Sequence, residues 1–119
     1  MSILSQILVL LTAALFCYIM YLETFATTSP AIARVFKLSQ EQLSEPRFKV
    51  LMRNQGIYNG CIAMMLSYAA LFASQPKEFA AVLLLNCIAV AAYGAFTSNK
   101  SILLKQGGLP ILALISLWF

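Results

Sequence analysis

The sequence predicts an all-α integral membrane protein: a four-helix antiparallel bundle with a short surface helix after the first span, all in one domain over residues 1–119. Three observations carry this. First, the chain is 61% hydrophobic and 10% charged, whereas soluble domains carry about 25% charged residues. Second, four apolar stretches, at about 3–25, 51–73, 78–98 and 101–119, approach the roughly 20 residues that cross about 30 Å of hydrocarbon at 1.5 Å per residue. Third, the cations gather in alternate junctions. Arg34, Lys37, Arg47, Lys49 and Arg53 lie between spans one and two, and Lys100 and Lys105 between three and four. Lys77 alone marks the opposite turn. The positive-inside rule then makes the basic side cytoplasmic and puts both termini outside.

The first stretch, Ile3 to Leu22, lacks the basic n-region of a secretory signal and is read as a retained span. Thr12, Phe16, Ile19 and Glu23 fall on one helical stripe, so Glu23 continues a single face of this helix. Residues 27–50 form a polar surface connection. Pro30 suits a first helical turn, and a short amphipathic piece through Phe36 would dip Val35 and Phe36 toward lipid, with Arg34 and Lys37 in water. Ser39 and Gln42 have capping-box spacing, and Pro46 ends the turn that follows.

The second span opens on Arg53-Asn54-Gln55-Gly56-Ile57-Tyr58-Asn59-Gly60, three amides and a phenol at the mouth of an apolar run. Gly56, Gly60, Ala63 and Ser67 form a small-residue ridge that lets a neighbouring backbone approach. Gln55 and Asn59 border it and are expected to point inward, with Asn54 and Tyr58 on another face. In the third span Asn86, Tyr93 and Thr97 share a stripe that Lys100 continues, and Asn99-Lys100-Ser101 reads as a tight turn. The fourth span must begin near Ser101, since too few residues follow Gln106 to cross. Lys105 therefore lies within the helix, snorkelling or paired. Gln106, Pro110, Ala113 and Leu117 share its inner stripe, Gly107 and Gly108 allow close packing, and Trp118-Phe119 is an interfacial anchor.

These placements converge on one level of the bundle. Glu23, Gln55, Asn59, Tyr93, Thr97 and Gln106 are the candidate ligand-binding groups there, with Asn54, Tyr58, Asn86 and Lys105 as secondary candidates. The other end is expected to have almost no counterpart. Of the four acidic residues, Glu23 is the one outside an expected loop or turn, and Lys105 or Arg53 is its expected partner. Without one, the carboxyl is free to take up and release a proton.

The motifs Glu23 with Phe25, Asn54-Gln55-Gly56-Ile57-Tyr58-Asn59-Gly60, Ala92-Tyr93-Gly94-Ala95-Phe96-Thr97 and Gln106-Gly107-Gly108-Leu109-Pro110 also give the chain a likeness. It resembles a family of small bacterial four-span membrane proteins catalogued as a domain of unknown function. The resemblance implies membrane localisation and a four-helix fold, and brings no activity with it.

The residues rank three functions. The first is binding or transport of a small polar or cationic ligand in a cytoplasm-facing polar pocket; one four-helix protomer leaves little room for a pore, so transport would favour a homodimer. The second is an accessory subunit whose polar groups fix helix packing. The third is an enzyme on a lipid-soluble substrate, with Glu23 as acid or base and Tyr58 or Tyr93 as proton donor. Against the third stand the absence of His and of a nucleophile beside a base. Cys17, Cys61 and Cys87 sit in apolar runs without metal spacing, so no metal or cofactor is expected. The net charge of +4 is spent at one membrane face, among lipid headgroups, and does not suggest nucleic acid.

Overall fold

Four long helices run antiparallel in a ring of neighbours, and each junction follows from local chemistry. The computed structural model describes residues 1–119, except for the side chains of Phe36 and Gln40. The expected dip of Phe36 toward lipid lies outside the described residues. Among the described residues there are six α-helices and no strand: α1 (Ile3–Met20), α2 (Pro30–Phe36), α3 (Gln40–Ser44), α4 (Pro46–Leu71), α5 (Pro76–Thr97) and α6 (Ser101–Ser116). A π-helical turn, Tyr21–Phe25, extends α1.

Ser2 caps α1 by accepting from the Ser5 N–H. Pro30 and Pro46 each stand in the first turn of a helix, where no intrahelical N–H bond is lost. The Ser39–Gln42 capping box forms at both ends: the Ser39 N–H donates to Gln42 Oε1 at 3.0 Å, and the Gln42 N–H to Ser39 Oγ at 3.1 Å. Asn99 Oδ1 accepts from the Ser101 N–H and hydroxyl at 3.0 and 2.9 Å and closes the α5–α6 turn.

Packing follows small residues. Gly56 and Gly60 of α4 face the end of α1, Gly107 of α6 faces Ala91 of α5, and Ala63, Ala69, Ala70, Ala80 and Ala113 are buried among them. A Cβ built on Gly107 would lie 3.2 Å from that of Ala91, whereas one on Gly108 would meet nothing within 4 Å. Many large apolar side chains point outward, although Phe16, Leu66 and Leu84 fill the core. Ile7 and Leu11 of α1, Met64 of α4, Val82 and Phe96 of α5, and Leu104 and Leu112 of α6 are all exposed.

Two elements, Ile3–Phe25 and Pro76–Thr97, are long and apolar enough to cross a membrane. The other two long helices do not pass that test, for identifiable reasons. In α4 the basic and amide residues from Arg47 to Asn59 dilute the apolar run, and α6, at 16 residues, spans roughly 24 Å. The connection also does more than lie on a surface. Ile32 of α2 and Leu43 of α3 are fully buried against Leu22, so the two short helices plug one end of the bundle. Arg34 and Lys37 are exposed as expected.

Candidate functional site

The stripe on α1 reaches the interior intact: Thr12, Phe16, Ile19 and Glu23 are all buried. Glu23 sits within the π-helical turn, where one extra residue per turn breaks the α ladder. Such turns occur mostly as single interruptions of a helix and often at functional sites. The local backbone is well tied: Ala26 N–H donates to the Tyr21 carbonyl at 2.9 Å, and the buried Thr27 hydroxyl to the Glu23 carbonyl at 3.0 Å. Opposite, the missing side chain of Gly56 brings α4 against the turn. A Cβ there would overlap the Thr24 hydroxyl and lie 3.0 and 3.1 Å from the Thr24 nitrogen and the Glu23 Cβ. One turn on, a Cβ at Gly60 would overlap the Met20 sulfur. This close approach lets Asn59 Nδ2 donate to Glu23 Oε1 at 2.5 Å, a buried bond between α1 and α4. The Thr24 hydroxyl adds a second link, donating to the Arg53 carbonyl at 3.1 Å.

Glu23 thus takes an amide partner, not the expected Lys105 or Arg53. Lys105 Nζ donates to the Val35 carbonyl at 2.9 Å and ties α6 to α2. Glu41 and Glu78 prove to lie in the first turns of α3 and α5, but both are exposed, and Glu23 is the buried acid among the described residues.

The rest of the expected cluster does not assemble. Gln55 is exposed, because the face of α4 that meets α1 runs through Gly56, Asn59, Gly60 and Ala63 and leaves Gln55 at its edge. Tyr93 and Thr97 are exposed as well, and the Thr97 hydroxyl donates back to the Tyr93 carbonyl. The cause is a competing stripe: Ala80, Leu84, Cys87 and Ala91 face inward, and the Asn86–Tyr93–Thr97 stripe lies more than a quarter-turn around the helix from it. Asn54, Tyr58 and Asn86 are exposed. Gln106 is half-buried and lines a cavity of about 260 Å³ with Leu15, Tyr18, Ile19, Val35 and Lys105, on a different side of α1 from Asn59.

Nor is the opposite end bare. The buried Ser5 hydroxyl donates to the Ser116 carbonyl at 2.8 Å, the Ser116 hydroxyl to the Ala113 carbonyl at 2.6 Å, and Gln6 Nε2 to the Ala70 carbonyl at 2.8 Å. Extending the α1 stripe backwards through Val9 reaches Ser5, the signal that locates this group. A wider open groove of about 590 Å³ lies at the α4–α5 turn, between Met65, Tyr68, Gln75, Glu78, Phe79 and Leu83. Among the described residues no group of His, Cys, Asp and Glu is arranged to hold a metal.

The fold and site define a class: a small all-α protein, two of whose helices are long and apolar enough to cross a bilayer, with a carboxyl buried between its first and fourth helices. A family model described as protein of unknown function (DUF1304) matches residues 10–118, and the chain belongs to that family. It is 54% identical over 119 residues, the whole of both chains, to "Uncharacterized protein YpaA" of Lactococcus lactis subsp. lactis (strain IL1403). No solved structure matches.

Proposed function

We propose that this chain is a four-span protein of the bacterial cytoplasmic membrane, both termini outside, and that its working group is Glu23. In this reading the carboxyl exchanges a proton or a small cationic or polar ligand at the cytoplasmic end. The observation that carries it is the identity of the Glu23–Asn59 pair. The bond that Asn59 makes needs only an oxygen acceptor, which glutamine would supply without a charge. Burying an ionisable group where a neutral one would pack equally well costs stability and is expected at a working site. The exposed large apolar residues on α4 and α6 support spanning by those helices too, since soluble surfaces seldom carry such continuous apolar area. The cations of α2, α4 and α6 gather at the Glu23 end, which supports the orientation.

The test is a thermal-shift screen of small cations and polar metabolites on detergent-purified protein, wild type beside Glu23→Gln. A compound that stabilises wild type and not the variant supports exchange at Glu23. Equal shifts in both proteins would overturn it.

An accessory subunit is the second reading, favoured by the fact that the two cavities described above are lined by residues other than Glu23 and Asn59. It predicts that Glu23→Gln leaves every activity of the assembled partner complex unchanged.

A further inference from the structure

Asn86 stands midway along α5, ten residues from Pro76 and eleven from Thr97, so roughly 15 Å of helix separates it from either end. Its side chain is exposed, and among the described residues it has no hydrogen-bond partner. If α5 spans the membrane, as the proposed function holds, this amide faces the middle of the hydrocarbon, where lipid offers neither donor nor acceptor.

The residues around it form a seam. Val82, Asn86, Ala89, Tyr93 and Thr97 are all exposed and follow one another at intervals of four, three, four and four. The mean interval of about 3.75 residues is close to the 3.6-residue turn, so the five lie on one face of the helix. The inward stripe of α5 is already occupied by α6, so the seam is a second, exposed face, which borders the α4–α5 groove at Val82 and is open from Asn86 onward.

We propose that a second copy of the chain covers this face, with α5 packed side by side on α5 about a twofold axis along the membrane normal. Two copies inserted in the same orientation bring Asn86 to the same depth in each. An amide is its own complement, because its nitrogen donates and its oxygen accepts, so Asn86 satisfies Asn86 of the other copy. Ala89, one turn away, leaves room for the helices to approach. The stripe that a monomer turns toward lipid thereby becomes the contact between copies.

The test labels the chain at its C-terminus with donor or acceptor dye, co-reconstitutes the two pools in liposomes and follows energy transfer on dilution with lipid. Wild type should show transfer, Asn86→Leu should weaken association about fivefold to thirtyfold, and Asn86→Gln should retain it. With Cys17 and Cys61 changed to Ser, Ala89→Cys should cross-link on oxidation and Ile88→Cys, about 100° around the helix from Ala89 and off the seam, should not. Asn86→Leu changes an exposed side chain and removes no hydrogen bond among the described residues of one copy, so loss of folding does not obscure the result. A monomeric wild type, or Asn86→Leu that associates as tightly as wild type, overturns the proposal. Extraction of the protein by alkaline carbonate would overturn the membrane reading beneath it, whereas a carbonate-resistant monomer would overturn the dimer alone.

Discussion

Replacing Gly56 with alanine puts a methyl group where the structure has no room for one. The new Cβ would overlap the Thr24 hydroxyl and lie 3.0 Å from the Thr24 nitrogen and 3.1 Å from the Glu23 Cβ. The hydroxyl can rotate away at the loss of its bond to the Arg53 carbonyl, a net loss of about 1 kcal/mol. The other two atoms are backbone or next to it, so α1 and α4 must separate by a few tenths of an ångström, at about 1–3 kcal/mol for overpacking. Alanine returns up to about 1 kcal/mol of helix propensity. The net expectation is a loss of about 1–3 kcal/mol, read as a melting point lower by roughly 4–12 °C in circular dichroism of detergent-purified protein. Gly108→Ala is the matched control, since its Cβ would meet nothing within 4 Å. It should melt at or above wild type. Equal melting points for the two variants would refute the close approach that delivers Asn59 to Glu23.

Asn59→Ala leaves the Glu23 carboxyl without its donor and should cost about 1–3 kcal/mol, whereas Glu23→Gln keeps an acceptor for Asn59 and should melt close to wild type. Reversal of that order in thermal unfolding would mean that the bond does not hold the pair. Ser5→Ala removes a buried hydroxyl that joins α1 to the Ser116 carbonyl and should lower stability by about 1 kcal/mol, although it lies far from Glu23. A ligand effect found at Glu23 should survive it in the same thermal-shift assay. Lys105→Met loses an exposed bond to the Val35 carbonyl and should leave the melting point within about 1 kcal/mol of wild type while making the α2 segment cleave faster under limited proteolysis.

Glu23 and its stripe were legible because a helix with one wet or polar face repeats every 3.6 residues, and Thr12, Phe16, Ile19 and Glu23 obey that period. The caps were legible too, since Ser39 with Gln42 and Asn99 with Ser101 are local chemistry that distant residues do not alter. Tyr93 and Thr97 were not, because α5 offers two stripes and periodicity does not say which meets a neighbour. The small residues Ala80, Cys87 and Ala91 prevail by letting α6 approach through Gly107, which is a property of the pair of helices. Gln55 failed for a related reason: bordering a packed ridge is not the same as lying on it. The π-helical turn left no sign in composition. Charge alone suggests a cation as the partner of Glu23, whereas the proximity set by Gly56 and Gly60 selects an amide.

The four-span arrangement is tested most directly by single-cysteine accessibility in intact cells, on a background with Cys17, Cys61 and Cys87 replaced. Cysteines at Ser2, Gln75 and Phe119 should react with an impermeant thiol reagent from outside, and those at Ser39 and Asn99 should react after the cells are opened. If α1 and α5 alone cross, Gln75 changes to the inner side and Asn99 to the outer, and that result would contradict the account.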